Sequence, residues 1–555
     1  MNKAKLNEHK IRYNIMLIIV YIIGVILLVQ LFNLQIINGE KYRKESNTRL
    51  TRETTLEAAR GEILDRTGNK LVTTTMNFSI EIYKTKVDNE ILNNTLLKLA
   101  NLLEQDNDTY IDNFPISIEP YEFKIQESEQ KTFKKSNNID EEYSAEQCFE
   151  FFKNKYDIKE TDVQNIRKII VMRYEIARNG YSNTKAVQLA KNVSRNSILK
   201  ISEENSEFPG IDIVTKPSVE YPSGTLASHI LGTVGKITES ELKDKQDSYG
   251  YNDIIGKTGI EYVYEDYLKG KNGTRQIDMS VNGTATDEYI SKEATAGSNV
   301  VLTIDANLQK VTEQALKSNI EKIKNGGFSE KSNADAGAVA VMNVNTGEVL
   351  ALASYPDYEP QLFAEGISTE KYNEYTNSNL KPLFNRAISG AYAPGSTFKM
   401  VTAIAGLESN KITPSEKIND TGVYPRGYNP VCWYWSSYHR GHGYLNVSEA
   451  IKHSCNYFFY ETGYRIGIDT LSKYASYFGL GKKTGIELPG EVSGDLATRQ
   501  KAESNKQEWY IGDTLSAAIG QSYNNFTPIQ MAKYISMLVN GGNPVDVSIV
   551  KSIIN

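Results

Sequence analysis

The sequence predicts an α+β protein of two or more domains carried on an N-terminal transmembrane helix, and three observations predict it. One apolar run near the start is long enough to cross a bilayer. Short strand-like runs with turn signals flank a long polar helical stretch, and two apolar strands joined by a tight turn precede a series of helices. A length of 555 residues exceeds what one hydrophobic core usually serves, so more than one domain follows from size alone. A net charge of -6 provides no broad basic surface, which argues against nucleic acid as a partner. Three cysteines, Cys148, Cys432 and Cys455, are too few for a disulfide-stapled scaffold, so a ligand role suits them better.

Ile15 to Phe32 is free of charge, and Lys3, Lys5, Lys10 and Arg12 precede it. The positive-inside rule therefore keeps the N-terminus in the cytoplasm and sends the rest of the chain across the cell membrane as a single-pass protein. A cleaved signal peptide fits less well, because the run is long and no small-x-small site follows in Asn33 to Ile37. The expected organisation is a cytoplasmic tail over 1–14, an anchor over 15–35, an outer domain over 36–295 and a second domain over 296–555. Residues 39–56 read as a solvated stalk. Short strands such as Phe78 to Tyr83 follow, and a polar, mostly helical insertion occupies about 88–207, with helical periodicity in Ile91 to Leu103 and Asp162 to Ala177. In the second domain a helix is expected over Ala306 to Lys324. Strands over Ala336 to Asn343 and Gly347 to Ser354 are joined at Asn345-Thr346-Gly347, and helices open at Ser396, run from Val447 to Tyr464, and lie near Pro528 to Val539.

The chemistry concentrates in two places. Ala393-Pro394-Gly395-Ser396-Thr397-Phe398-Lys399 sets a serine at a helix start and a lysine three residues on, hence on the same face. A serine hydroxyl needs a base to become a nucleophile, and a lysine kept neutral by burial can be that base. Ser-x-x-Lys arises by chance about twice in a chain this size, so alone it carries little weight. Ser454-Cys455-Asn456 lies fifty-eight residues after Ser396, at the start of the aromatic run Tyr457 to Tyr460. Its hydroxyl could relay a proton and its amide orient a carbonyl. The bland alternative is an N-cap serine and a surface amide.

Taken together, Ser396-x-x-Lys399 and Ser454-x-Asn456 resemble the first two active-site motifs of penicillin-binding proteins. The flanks resemble class B members, the monofunctional peptidoglycan transpeptidases: Arg60 to Gly68, Tyr221 to Gly232, Leu302 to Asp305, Thr346 to Ala351 and Thr527 to Ala532 match in family order. The resemblance implies an extended pedestal, or dimerisation-type, domain ahead of a penicillin-binding transpeptidase domain like that of serine β-lactamases. It implies that Ser396 attacks a stem-peptide carbonyl, with Lys399 as base and Ser454 and Asn456 assisting, and that β-lactams acylate the same serine. A membrane glycan polymerase of the SEDS type is the implied partner, and no cofactor is required for the chemistry. The family's third motif, Lys-Thr-Gly or Lys-Ser-Gly, has two poor candidates here. Lys257-Thr258-Gly259 precedes the nucleophile, and Lys483-Thr484-Gly485 lies in a loop-like stretch, so the resemblance implies a chain that stops, at Asn555, before that motif.

A local cluster exceeds the motif pattern: Cys432, His439 and His442, with Cys455 close behind. Cysteine and imidazole are the ligand types for tetrahedral zinc, so Cys432, His439 and His442 are candidate ligands of a structural zinc, with Asp420 or Cys455 as the fourth. The competing reading leaves His442 in a turn and Cys455 as a small buried side chain. A non-catalytic penicillin-binding scaffold or sensor is the alternative function. The fourteen residues ahead of the apolar run are too few for a cytoplasmic effector.

Overall fold

The structure, a computed structural model, describes residues 3–40, 51–182, 185–245, 249–250, 253–279, 285–327 and 331–555. The chain divides into two compact units. One comprises Met1–Ala58, Met76–Pro217 and Lys271–Thr295, and the other Ala59–Thr75, Ser218–Gly270 and Ala296–Asn555. Of the stretch expected as a stalk, residues 41–50 lie outside the described residues, and Thr51–Leu56 forms a strand.

In the first unit a helix runs over Lys3–Phe32 and ends in a π-turn over Asn33–Ile37. The 22-residue stretch Met16–Ile37 reaches a mean hydropathy of 2.7 over its most apolar 18 residues, with its apolar side chains exposed, as a bilayer-spanning helix requires. Thr51–Leu56, Gly273–Met279 and Ala285–Lys292 form a three-stranded antiparallel sheet. The long strand Lys70–Ile82 enters this unit with its second half, which pairs antiparallel with Val187–Val193 in a register that sets Phe78 opposite Val193 and Ile82 opposite Val187. The insertion is helical as its periodicity requires. Asn89–Gln105 and Val163–Asn179 each start at an aspartate, Asp88 or Asp162, whose carboxylate takes a free amide of the first turn. Leu96, Leu99 and Leu103 pack with Met172, Leu189 and Phe208 in one core. Phe114, Phe133, Phe149 and Phe152 form a second, with Phe114 edge-on to Phe152 at 5.3 Å between centroids.

In the second unit Asn299–Leu302 pairs parallel with Ile63–Leu64 and antiparallel with Val550–Ile554. The turn after Ile63–Leu64 is held by Asp65, whose carboxylate accepts the amides of Thr67 (2.8 Å), Asn69 (2.9 Å) and Ala306 (3.1 Å). The last of these ties the turn to the start of the Ala306–Lys324 helix, which Asp305 caps. That helix lies against the hairpin Gly337–Met342/Val349–Tyr355. Its buried Gln309 donates to the Leu352 carbonyl (2.8 Å) and accepts from the Leu352 amide (2.7 Å), satisfying a strand position that would otherwise lack partners. Nearby, Arg60 donates to Glu261 (2.7 Å) and Glu265 (2.6 Å), all three buried. Helices and one short strand pair then carry most of the rest of the unit and build the site below.

Candidate active site

Ser396 stands on a single 3-10 turn, Gly395–Phe398, that runs directly into the helix Lys399–Glu408. The turn is fixed from outside. The Gly395 amide donates to the Gly520 carbonyl (3.0 Å), the Tyr534 hydroxyl donates to the Thr397 carbonyl (3.0 Å), and Phe398 stacks on Phe526. Residue 520 has φ +76, and a Cβ there would stand 2.1 Å from the Gly395 carbonyl oxygen, so only glycine fits. Ser396 is exposed at the turn, whereas Lys399 is 2% exposed. The three-residue spacing therefore puts a solvent-facing hydroxyl beside a buried amine.

The second motif lies in a break that the sequence pattern did not reveal. In place of one helix from Val447 to Tyr464 there are two, Val447–Lys452 and Asn456–Tyr477, the second broken by a kink at Gly467 (φ 72). Ser454 sits between them in the left-handed region at φ 50, and Cys455 caps the second helix by accepting the Phe458 amide. This break turns Ser454 and Asn456 toward the lysine. Lys399 Nζ donates to Asn456 Oδ1 (2.6 Å), to the Ser454 carbonyl (2.7 Å) and to Ser454 Oγ (3.1 Å). The Lys399–Glu408 and Asn456–Tyr477 helices cross closely because residue 406 is glycine. A Cβ there would stand 2.7 Å from Thr462 Cγ2. Burial lowers Lys399 to about 8, with Cys455 and Cys432 pulling the other way. A lysine near 8 is neutral often enough to take a proton at ordinary pH. Ser396, Lys399, Ser454 and Asn456 thus come to one place, with Lys399 bonded to both members of the second motif.

Behind this motif Asp420, Cys432, His442 and Cys455 place one ligand atom each within 4.8 Å of one another. The short ladder Ile418–Asp420/Gly443–Leu445 brings Asp420 to His442, whose Nδ1 lies 2.6 Å from Asp420 Oδ2 and 3.6 Å from Cys432 Sγ. Cys455 Sγ donates to Asp420 Oδ2 at 3.3 Å. Its hydrogen bond with Cys432 holds the Cys432 thiol below the usual thiol range and pushes the Cys455 thiol up. Two sulfurs, an imidazole nitrogen and a carboxylate oxygen in a buried cluster fit the donor set of tetrahedral zinc. Nδ1 is the nitrogen turned to the cluster, and His442 Nε2 is buried without a hydrogen-bond partner among the described residues. One expectation is corrected. His439 does not belong, because it ends the helix Trp433–Tyr438 in the left-handed region at φ 51 and is exposed, its ring edge-on to Trp435. Asp420 and Cys455, read as alternatives, are both in the cluster.

Neither Lys-Thr-Gly candidate lies on a strand. Thr258 precedes the short helix Gly259–Val263, and Thr484 and Gly485 sit in a loop where their amides, with the Thr484 hydroxyl, donate to Glu491. Tyr534 and Trp433 escaped sequence reasoning. Trp433 carried no signal beyond its place next to Cys432, and Tyr534 looked like an ordinary residue of an amphipathic helix.

Residues 55–302 match the penicillin-binding protein dimerisation domain, and residues 337–555 match the penicillin-binding protein transpeptidase domain. The chain is 29% identical over 524 residues to the peptidoglycan D,D-transpeptidase MrdA of Escherichia coli K12, covering 93% of this chain and 70% of that protein. Among solved structures it is similar to Pseudomonas aeruginosa PBP2 in complex with WCK 5153, at 34% identity and a TM-score of 0.52 over 61% of this chain and 67% of that one. It also resembles a chain of a peptidoglycan synthase complex that coordinates polymerization and crosslinking, at 26% identity and a TM-score of 0.64 over 98% of this chain and 80% of that one. With both domains matched in order and a serine, a buried lysine and a Ser-x-Asn turn converging in the second, the chain belongs to the class B penicillin-binding proteins.

Proposed function

We propose that the protein is a peptidoglycan D,D-transpeptidase that joins stem peptides through an acyl-enzyme on Ser396. The observation that carries this reading is the lysine seat: an amine buried one turn from an exposed serine and bonded to Ser454 and Asn456. Lys399 takes the Ser396 proton as Oγ attacks the penultimate D-Ala carbonyl. The Ser396 amide, at a helix start where amides lack intrahelical partners, serves the oxyanion. Ser454 Oγ, 3.1 Å from the amine, relays the proton toward the departing D-Ala nitrogen, and an amine from a neighbouring strand then takes the acyl group. β-Lactams acylate the same oxygen.

The anchor would span 15–35 from a cytoplasmic tail over 1–14, with a pedestal over 36–295 and the catalytic domain over 296–555 outside the membrane. A SEDS-type glycan polymerase is the partner this arrangement suits. Supporting it, the similar chain noted above comes from an assembly that couples polymerization to crosslinking. Asp420, Cys432, His442 and Cys455 would hold a structural zinc, whose contribution is a cross-link among the segments carrying Ser454 and Asn456.

Intact-mass analysis of the full chain treated with a fluorescent penicillin tests the nucleophile. Wild type gains one adduct and Ser396→Ala none, and labelling that survives the substitution sinks the assignment. Elemental analysis of protein prepared without added metal tests the zinc, with stoichiometric metal expected in wild type and its loss in Cys432→Ser. Equal, trace amounts in both end that part.

A further inference from the structure

We propose that Trp433 is a positioning residue for acylation, its indole N–H holding the Ser454 carbonyl on which the Lys399 amine is seated. The inference rests on the transpeptidase reading above. Trp433 Nε1 donates to the Ser454 carbonyl at 3.0 Å and to the His453 carbonyl at 3.2 Å, while Lys399 Nζ donates to the same Ser454 oxygen at 2.7 Å. Among the described residues no other donor reaches that oxygen. It lies in the break between two helices, so neither helical ladder holds it.

Ser454 is the residue that needs holding. Its φ of 50 belongs to a region that β-carbon-bearing residues occupy only when their surroundings fix them. Were the peptide to relax, the carbonyl, the Oγ and the start of the Asn456 helix would all shift, and these supply all three acceptors of Lys399. The tryptophan is itself fixed. It opens the helix Trp433–Tyr438 directly after Cys432, and its ring stands edge-on to Tyr434 and His442 at 5.5 and 5.7 Å. It is nonetheless 43% exposed, which a side chain serving only to fill a core would not be. Its bonded edge does the positioning.

Two substitutions separate the donor from the ring. Trp433→Phe keeps an aromatic ring and loses the N–H. Trp433→Gln loses the ring and returns an N–H the same number of bonds from Cβ. Stopped-flow acylation of the full-length protein in detergent by a fluorescent penicillin, with active sites counted by the burst, gives the affinity of the encounter complex and the rate of the chemical step separately. For Trp433→Phe the chemical step is expected to slow roughly tenfold, as for a lost hydrogen bond to a shared acceptor, with affinity within about threefold. Trp433→Gln is expected to recover most of that loss. A Trp433→Phe protein with an unchanged chemical step overturns the assignment, as does a Trp433→Gln protein no faster than Trp433→Phe. Thermal unfolding alongside identifies a purely structural role, in which both variants melt earlier and the counted sites still react at the wild-type rate, and this too overturns it. Wild type that fails to acylate at Ser396 refutes the underlying function instead, so the two failures are told apart.

Discussion

The burial of Lys399 sets how acylation should depend on pH. Held at about 8, the amine is neutral in about a tenth of molecules at pH 7 and about nine-tenths at pH 9, by simple titration. Protonation removes the base, so the rate falls as pH falls through 8 and rises as pH climbs. Between pH 7 and 9 the rate of Ser396 acylation by a penicillin should therefore increase roughly tenfold and then level off. A solvated lysine at its ordinary 10.5 would behave differently. Its neutral fraction would be about 0.03% at pH 7 and the rate would climb roughly a hundredfold to pH 9 without levelling. Stopped-flow labelling at constant ionic strength from pH 6 to about 10, normalised to the burst, distinguishes the two cases. A profile that keeps unit slope beyond pH 9, or one flat between 7 and 9, refutes the view that burial tunes this amine as the base.

Three further outcomes follow from the packing. Arg60→Met leaves the fully buried Glu261 and its neighbour Glu265 without their cation, at a cost of roughly 3–5 kcal/mol, so thermal unfolding should come about 6–20 °C earlier, and a shift below 2 °C contradicts the ion triad's role. Gly520→Ala drives a Cβ into the Gly395 carbonyl and should cut penicillin acylation more than about a hundredfold in protein that still folds by circular dichroism; near-normal labelling speaks against the turn's dependence on that contact. Gly406→Val pries the Lys399 helix off the Asn456 helix, since its Cβ would meet Thr462, and should lower both melting temperature and acylation rate by at least roughly tenfold in the latter; loss of stability with an unchanged rate per active site rejects the coupling.

Where local chemistry decides the structure, the sequence was readable. The Ala306–Lys324 helix runs between the residues expected because Asp305 caps its first turn, and Pro528–Val539 does so because Thr527 and Gln530 form a capping box with proline at the first position. The hairpin over 337–355 follows from two continuous apolar runs around Asn345-Thr346-Gly347. Long-range contacts decided the rest. The break at Ser454 is only partly local: Cys455 caps the helix that follows by accepting the Phe458 amide, although Val447 to Tyr464 reads as one helical pattern. Lys399 and Trp433 hold the Ser454 carbonyl in the break from other segments. Likewise the spacing of Cys432, His439 and His442 suggested three ligands in line. The fold instead turned His439 outward at a helix end and delivered Asp420 through a strand pair. Ser396 and Lys399 were legible because three residues of helix need no tertiary help to share a face.

The meeting of residues 395 and 520 bears on how this enzyme can change. Backbone rests on backbone there, with no side chain between to trim or enlarge, although 124 positions separate the two in the chain. Residue 520 cannot drift, because a Cβ there would collide with the Gly395 carbonyl oxygen, whereas residue 395 is kept as glycine by its φ of +55 and not by a neighbour. Variation in which ligands the cleft accepts is thereby confined to its outer margin, where exposed aromatics such as Tyr392 stand, while the ground beneath the nucleophile stays frozen.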